Sequence, residues 1–400
     1  MKRRVMIESM PQAFEVIKEM GLDAEWCDAD YRVAGRRAVA QVLEERMRDR
    51  VSEYVEQMGR AVGVDRRNGS FSRHLLTELG DIELQVPRTR HFSPLLVLRA
   101  YARRAPQVDQ LILACFVLGI STRKVAHTLL PLLGERLSAS TVSRVARTLD
   151  TAVVAFHRRP LTRRYRFLIF DGVVLKRKTG AGAVKRVVLV ALGITPEGQK
   201  EVIDFMIAPG ESQSAWEAFL HDLYRRGLDG EGVQMLITDG GTGLLAALPL
   251  VYPRIPPQRC WAHKSRNVLT YVRKGDHQTV KASLRAISHA AGPMEAQKAL
   301  RRFRARWQGI YPKAVACLLK DEEELLAFFQ IPDPSLWPQI RTTNAIERRF
   351  REVRRRTRPM GVFSDRTSME RILYAVFSYE NAQQGTGTPF LARASGPGEK

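Results

Sequence analysis

Hydrophobic and polar residues follow two different periods along the chain, and the change of period marks its main divisions. Residues 1–36 mix acids and bases without a clear period and are predicted to be a variable lead-in. Apolar residues recur at helical spacing in residues 37–58, which predicts a helix. After the turn signal at Asn68-Gly69-Ser70, residues 80–88 alternate strictly and end near Pro87, which predicts a strand. We therefore interpret residues 37–107 as a helix with a short β region.

Two helix starts occur within residues 108–160. Ser121 precedes one apolar helical pattern and Ser138 precedes another, and serine is a favoured N-cap residue. The spacing resembles a helix-turn-helix unit. Its second helix would offer these side chains to DNA: Thr141, Ser143, Arg144 and Arg147. Ordinary packing in an all-helical bundle is the alternative interpretation, because such helix pairs are common there.

Strand patterns dominate from residue 161 onward. Apolar runs predict strands over residues 165–170, 185–193 and 201–207. An amphipathic pattern over residues 214–226, closed by Gly227, predicts a helix, and a further strand follows over 233–238. Three successive strands, a helix and another strand are typical of a ribonuclease-H-like domain, whose first part we assign to residues 161–262.

Predicted helices become more frequent from residue 242 onward. A short helix is predicted over residues 242–250 and a short strand over 258–261. Alanine, leucine, lysine, arginine and glutamate then dominate, so residues 263–335 are predicted to be an all-helical insertion. The domain resumes over residues 336–383 with a helix that carries Glu347. Glycine and proline predict a disordered tail over 384–400.

The predicted fold is therefore an α/β ribonuclease-H-like catalytic domain with an all-α insertion. A mainly helical N-terminal region, proposed to bind DNA, precedes it. A length of 400 residues agrees with two or three domains.

Charge narrows the class of partner. The chain has 64 lysine and arginine residues against 42 acidic ones, a formal net charge of +22, which favours binding to a polyanion such as nucleic acid. Charge alone does not separate DNA from RNA or an anionic membrane surface, but no apolar run reaches the roughly 18 residues of a membrane span. The N-terminal residues lack the apolar core of a signal peptide, and the four scattered cysteines are typical of a reducing compartment. We expect a cytoplasmic, nucleoid-associated protein.

Three acidic residues stand out against this basic background. Asp171 ends one predicted strand, Asp239 ends another, and Glu347 lies on the final predicted helix. Carboxylates are the ligands that Mg²⁺ and Mn²⁺ prefer, and two metal ions held this way can catalyse phosphoryl transfer. Each acid also has a structural alternative. An aspartate at a strand end is often a turn residue, and Glu347 could pair with Arg351 at i,i+4.

The segment around Glu347 is rich in arginine. Residues 341–358 contain eight arginines and two glutamates. Arginine binds phosphate in a bidentate manner, so the helix is suited to contact a DNA backbone. The candidates for this role are Arg348, Arg351, Arg354 and Arg355. A solvated basic helix face is the alternative.

Cys260 and His263 form a second unusual pair, with two residues between them, after a predicted short strand. Such a pair suggests zinc, but a structural zinc site needs four ligands, and no second pair is evident among the remaining cysteines and histidines. A thiol-protease dyad is less favoured still.

Taken together, these motifs resemble the Mutator-type transposases of bacterial insertion sequences, within the DDE recombinase group. The resemblance extends over residues 37–380. It rests on these phrases: Gly80 to Arg88, Asp171-Gly172, Glu217 to Leu223, Thr238-Asp239-Gly240, Arg259-Cys260-Trp261-Ala262-His263-Lys264 and Arg341-Thr342-Thr343-Asn344-Ala345-Ile346-Glu347.

The resemblance implies that Asp171, Asp239 and Glu347 are a metal-binding triad. It makes Cys260 and His263 the Cys-x-x-His signature of that group, to which we assign a supporting role rather than metal binding. Trp307 becomes a candidate for stacking on DNA, with a place in a protein core as the alternative.

The implied activity is cleavage of the terminal inverted repeats of an insertion sequence and their joining to target DNA, by at least a dimer. Two rivals share parts of this picture: a ribonuclease-H-like nuclease without strand transfer, and a domesticated DNA-binding regulator.

Overall fold

The computed structural model describes residues 24–61, 65–95, 104–118, 120, 122–133, 137–179, 182–358, 363 and 365–387. The chain divides into two compact units. One consists of Met1–Phe116 with Ile120–Ala146, and the other of Val117–Gly119 with Arg147–Lys400. The fold is mixed α/β, with a helical N-terminal region and a mixed sheet in the second unit.

The first unit combines helices with one β-hairpin. Its elements in chain order are α1 (Ala24–Ala61), β1 (Ser70–Thr77), β2 (Gly80–Pro87), α2 (Pro106–Val117), α3 (Thr122–Leu133) and α4 (Ala139–Arg147), the last ending one residue past the boundary. Helix α1 begins at Ala24, so it takes in thirteen residues that the sequence analysis assigned to the lead-in. Residues 1–23 lie outside the described residues.

The hairpin confirms the predicted strand over residues 80–87 and adds a partner that the sequence did not predict. Strand β1 pairs antiparallel with β2, from Ser70 opposite Pro87 to Thr77 opposite Gly80. Gly80 closes the turn at φ 112°, a conformation that favours glycine. The buried face of β2, with Ile82, Leu84 and Val86, packs with Met47 of α1.

Helices α2, α3 and α4 form a second cluster in this unit. Val108, Ile112, Val125, Leu129 and Val142 are among its buried residues. The Ser138 hydroxyl accepts a hydrogen bond from the Thr141 N–H (3.1 Å) at the start of α4, as its predicted N-cap role requires. Ser121, the other predicted cap, lies outside the described residues. The helix pair predicted from sequence is therefore present, while its contact with DNA stays a prediction.

The second unit contains one sheet and most of the remaining helices. In chain order the elements are α5 (Leu149–Arg158), β3 (Phe167–Thr179), β4 (Gly182–Ile194), β5 (Lys200–Ala208), α6 (Gln213–Arg225), β6 (Met235–Thr238), α7 (Thr242–Val251), β7 (Pro257–Arg259), α8 (Trp261–Leu269), α9 (His277–Ser288), α10 (Pro293–Trp307), α11 (Pro312–Leu319), α12 (Glu322–Leu326), α13 (Trp337–Ile340), α14 (Asn344–Thr357) and α15 (Arg366–Gln383).

The sheet has the strand order β5-β4-β3-β6-β7. Strand β4 pairs antiparallel with both β3 and β5, while β6 pairs parallel with both β3 and β7. One prediction was wrong in its placement: Asp171 does not end its strand. Strand β3 continues for eight residues to Thr179, because residues 172–179 extend the antiparallel ladder with β4.

Each face of the sheet is covered by helices. Leu168, Phe170 and Leu236 belong to a core that also contains Trp216 and Phe219 of α6 and residues of α7. Successive residues of a strand point to opposite faces, so Ile169 and Asp171 face the other side. Helices α14 and α15 pack there, against β3 and β5 respectively. The candidate site is formed on that second face.

Residues 261–340 contain only α-helices and short 3₁₀ turns, which agrees with the predicted all-helical character of 263–335. Helix α10 packs against both α9 and α11, and Leu284, Phe303 and Val315 are buried residues of these three helices. The two ends of this helical segment meet, since the Trp261 N–H donates to the Arg341 carbonyl (3.0 Å).

Residues 384–387 are described, although the sequence analysis assigned them to the tail. Thr386 is buried, and its hydroxyl donates to the carbonyl of Lys200 (3.2 Å). The rest of the predicted tail lies outside the described residues. No helix within the described ranges is both long and apolar enough to cross a membrane.

A buried ionic cluster beside the sheet offers a test of the second unit's packing. Asp204 of β5 is 2% exposed, and its carboxylate pairs with Arg226 and with His157 Nδ1 (2.7 Å). We expect Asp204→Ala to lower the free energy of unfolding by about 3 kcal/mol, because Arg226 and His157 lose their shared buried carboxylate and Arg226 keeps only the half-exposed Asp222. Urea denaturation followed by tryptophan fluorescence measures the change.

Asp222→Ala is the matched control, because Asp222 also pairs with Arg226 (2.9 Å) but its side chain is 48% exposed. A surface pair of that kind contributes about 0–1 kcal/mol. Equal losses in the two variants would contradict the importance of the buried pair.

Candidate functional site

The pairing of β3 with β6 brings the two candidate aspartates together. Phe170 pairs with Thr238 in the parallel register. Asp171 and Asp239 directly follow these two residues in the chain. Asp171 is 6% exposed, and its Oδ1 accepts a hydrogen bond from the Gly172 N–H (2.7 Å). Asp239 Oδ1 accepts one from the Gly241 N–H (2.9 Å). The predicted position of Asp239 directly after its strand is confirmed.

The environment of Asp171 disfavours its charged form. Burial, then the negative charge of Asp239 and, more weakly, that of Glu347 raise the pKa of Asp171 to about 7, although the Gly172 N–H and His263 act in the opposite direction. A carboxylate with this shift gains from a nearby cation, because the cation removes the repulsion that disfavours its charged form.

Glycines give this end of the sheet its shape. Gly240 adopts φ 90°, and a Cβ there would lie 2.0 Å from Cζ of Arg259. Arg259, the last residue of β7, packs against this turn. It donates from Nη1 to the Gly240 carbonyl (3.1 Å) and from Nη2 to Asp321 (3.0 Å). The turn Asp239-Gly240-Gly241 thus packs between β6 and the Arg259 guanidinium, and this packing fixes the backbone direction at Asp239.

Glu347 lies in the first turn of α14. Its N–H donates to the Thr343 carbonyl (3.1 Å), and its Oε1 accepts from Arg266 Nη2 (3.0 Å) and lies 3.5 Å from His263 Nε2. The alternative pairing with Arg351 is not among the salt bridges of the described residues. Glu347 therefore faces α8 and the aspartates rather than its own helix.

Cys260 and His263 contact Thr343, the residue directly before α14. The buried Cys260 Sγ accepts from the Thr343 N–H (3.2 Å) and from the Thr343 hydroxyl (3.3 Å). Burial raises the pKa of the Cys260 thiol, but hydrogen bonds from His263 and Thr343 outweigh it and lower the pKa overall. The contact with Cys260 is the main cause that raises the pKa of His263. The pair thus joins the end of β7 to the residue that precedes α14.

A fourth carboxylate, which the sequence analysis missed, lies at the same end of the sheet. Glu211 precedes the N-cap residue Ser212 of α6, and burial and the charge of Asp239 raise its pKa. Its neighbours in the chain, Pro209-Gly210 and Ser212, are those of an ordinary loop. The only sequence signal was an acidic residue at a strand-to-helix junction, which is too common to single out.

The DNA-contact candidates have different environments. Arg348, Arg351, Arg354 and Arg355 are exposed on α14, whereas Arg349 and Arg356 of the same helix are buried. Arg144 and Arg147 are exposed, and Thr141 and Ser143 are half-buried. Trp307 is 4% exposed, and its indole Nε1 donates to Ser283 (3.4 Å), so the structure favours the core alternative for this residue.

The donor set at this site suits a divalent cation. Asp171, Asp239 and Glu347 offer carboxylate oxygens, which Mg²⁺ and Mn²⁺ prefer, and burial followed by the charge of Asp239 raises the pKa of Asp171. In the part of the chain that the structure describes, no three histidine, cysteine, aspartate or glutamate side chains are yet arranged to enclose one ion. Arg266 engages one oxygen of Glu347 in this arrangement.

Sequence comparisons identify the family. The profile of the transposases of the Mutator family matches residues 19–385. The chain belongs to this family. A transposase for the insertion sequence element IS905 from Lactococcus lactis is 34% identical over 320 residues, which cover 80% of each protein. Among other members, the ISRM5 transposase of Rhizobium meliloti is 32% identical over 86% of this chain and 88% of its own length.

A third Mutator-family relative is the transposase for IS256 in transposon Tn4001 from Staphylococcus aureus. It is 33% identical over 315 residues, which cover 78% of this chain and 80% of the relative. The resemblance inferred from short motifs is therefore confirmed over most of the chain. As a class, transposases cleave and transfer DNA, which agrees with the basic composition of this member.

The junction between Cys260 and Thr343 yields a prediction about stability. Cys260→Ala removes the acceptor of the Thr343 N–H, and Thr343 is fully buried, so we expect a loss of about 1–3 kcal/mol in the free energy of unfolding. Cys260→Ser restores an acceptor and should recover part of the loss. Thermal denaturation monitored by circular dichroism measures both variants.

Cys317→Ala serves as the control, because Cys317 is a free cysteine that is only half-buried. If Cys260→Ala and Cys317→Ala shifted the melting temperature equally, the Cys260 hydrogen bonds would have no special role.

Proposed function

We propose that this Mutator-family protein is a metal-dependent DDE transposase that binds the terminal inverted repeats of an insertion sequence, cleaves them and joins them to target DNA. The proposal rests chiefly on one observation: Asp171 and Asp239 are paired at one end of a sheet, and Glu347 approaches them from α14. Membership of the transposase family supports the same reaction class.

The strand order supports a ribonuclease-H-like domain as the framework. Three antiparallel strands are followed by helix α6 and then by the parallel strands β6 and β7, and β3 lies at the centre of the sheet. We infer that this domain uses β3, β6 and α14 to carry its three acids, with the helical segment 261–340 between the second and the third.

Asp171, Asp239 and Glu347 would hold Mg²⁺ or Mn²⁺. When bound, two such ions would activate a water or a 3′-hydroxyl and stabilise the leaving oxygen of an in-line displacement at phosphorus. The protein groups have separate tasks. The N–H groups of Gly172 and Gly241 orient one oxygen of each aspartate, while Arg266 and His263 orient Glu347.

The exposed arginines of α14 are suited to hold the DNA backbone near these acids. Arg348, Arg351 and Arg354 have no acidic partner within the described ranges, whereas Arg355 and Arg356 share Glu352. Unpaired guanidinium groups retain their donors for phosphate oxygens. Two or more protomers would be needed to act on both ends of an element together.

Substitution of the acids tests the reaction. We expect Asp171→Asn, Asp239→Asn and Glu347→Gln each to reduce cleavage of an inverted-repeat DNA by at least about a thousandfold, because each removes a metal-binding charge. DNA affinity in a gel-shift assay should change little. Asp229→Asn, in an exposed loop of the same unit, is the control and should cleave like the unmodified protein.

Cleavage near the unmodified rate in any of the three variants would eliminate the triad assignment. A joining assay with a pre-cut 3′-hydroxyl end separates a transposase from a nuclease: joined product supports transposition, and cleavage without joining supports the nuclease.

The basic face of α14 is tested through its salt dependence. Each of Arg351→Ala and Arg354→Ala should weaken binding to DNA of any sequence and reduce the slope of log affinity against log salt concentration by about one. Arg366→Ala is the control, because Arg366 is also exposed but pairs with Glu370 (2.7 Å). An unchanged salt slope in both α14 variants would contradict the phosphate contact and favour a solvated basic surface.

A further inference from the structure

We propose that Glu211 is an additional metal-binding carboxylate of this site and that it holds the second divalent cation together with Asp239. The inference rests on the proposed function, because it adds a ligand to the metal site assigned there. It goes beyond the three acids of the sequence motifs.

The geometry of two glycines places both oxygens of Glu211 beside the aspartates. A Cβ on Gly172, the neighbour of Asp171, would lie 2.5 Å from Glu211 Oε1. A Cβ on Gly241 would lie 3.7 Å from Glu211 Oε2 and 3.5 Å from Asp239 Oδ1. One oxygen of Glu211 and one of Asp239 thus lie near the same position beside Gly241, and a side chain at Gly172 would displace the Glu211 carboxylate.

Glu211 approaches from the opposite side of the sheet to Glu347. Gly172 and Phe170 are two residues apart on β3, so they face the same side of the sheet, where Phe170 packs against α6 and α7. Asp171 faces the other side, towards α14. Asp239 directly follows β6 and is half-buried. The two glutamates therefore flank the aspartates from two directions, as two separate cation positions would require.

The backbone of Glu211 is fixed by close packing. A Cβ on Gly243, in the first turn of α7, would lie 2.1 Å from the Glu211 carbonyl oxygen and 2.8 Å from the carbonyl carbon of Ser212. Only glycine permits this approach. Ser212 itself caps α6 through a hydrogen bond from the Ala215 N–H (3.2 Å). Glu211 is thus held between the starts of two helices rather than on a free loop.

The protein provides no cation for Glu211. Within the described residues its carboxylate has neither a salt bridge nor a hydrogen bond, although Glu347 is paired with Arg266. Asp171 is 6% exposed, and its carboxylate accepts one hydrogen bond there, from the Gly172 N–H to Oδ1. A bound divalent cation would relieve this accumulation of negative charge.

Direct metal binding tests the inference without turnover. Mn²⁺ is titrated into the full-length protein, and free Mn²⁺ is measured by electron paramagnetic resonance. We expect two bound ions in the unmodified protein. Glu211→Gln should weaken one of them by roughly tenfold or more, a loss typical of removing a group from a metal site, and leave the other unchanged.

Two further variants separate coordination from charge. Glu211→Asp keeps the charge but shortens the side chain, and Gly172→Ala keeps Glu211 but moves its carboxylate aside. Both should weaken the same ion as Glu211→Gln. Glu217→Gln, on α6 and hydrogen-bonded to Gln213, is the matched control and should bind both ions normally.

The outcomes distinguish this inference from the proposed function. Normal binding of both ions by Glu211→Gln, or by both Glu211→Asp and Gly172→Ala, overturns the role of Glu211, whereas loss of ions in Asp239→Asn still supports the triad. If Asp171→Asn and Asp239→Asn also bound Mn²⁺ normally, the metal site of the proposed function would itself be wrong.

Discussion

The parallel pairing of β3 with β6 is the constraint on which the rest of the candidate site depends. It sets Asp171 and Asp239 side by side on one sheet, and it does so with backbone hydrogen bonds that neither side chain can alter. Two like charges in a buried setting repel one another, so the fold holds them against an electrostatic penalty. Gly172 of β3 and Gly241 of the turn after β6 each donate a backbone N–H to one aspartate, and Arg259 of β7 donates to the carbonyl of Gly240 in that turn.

The third acid depends on the neighbouring strand. Strand β7 lies beside β6, and the residue after it, Cys260, accepts hydrogen bonds from Thr343 just before α14. The sheet therefore positions Glu347 through a thiol and a threonine that are 83 residues apart in the chain. Cys260 and His263 thereby connect the end of β7 to Thr343, the residue before the helix that carries Glu347.

Much of this architecture could be predicted from the sequence, because apolar periodicity reports burial directly. The strands around Phe170 and Thr238 and helix α6 were found in this way. Asp171 was misplaced at a strand end, since a charge interrupts an apolar run whether or not the backbone pairing continues. Strand β1 was missed because Ser72, Arg73 and His74 carry no regular alternation; its partner β2 stabilises it. Glu211 became visible only through packing against Gly172.

One hydrogen bond, from Trp261 to Arg341, has a wider consequence. The chain leaves the sheet after Cys260 and comes back beside it at Arg341, so the roughly eighty residues between them form a closed loop. The entropy of closing a loop grows only slowly with its length. Evolution can therefore change the length of the part of this loop formed by α9 and α10, whereas α8 keeps His263 and Arg266 in contact with Glu347 at the candidate site. Diversity in what such enzymes recognise could arise there without renewed selection on the chemistry.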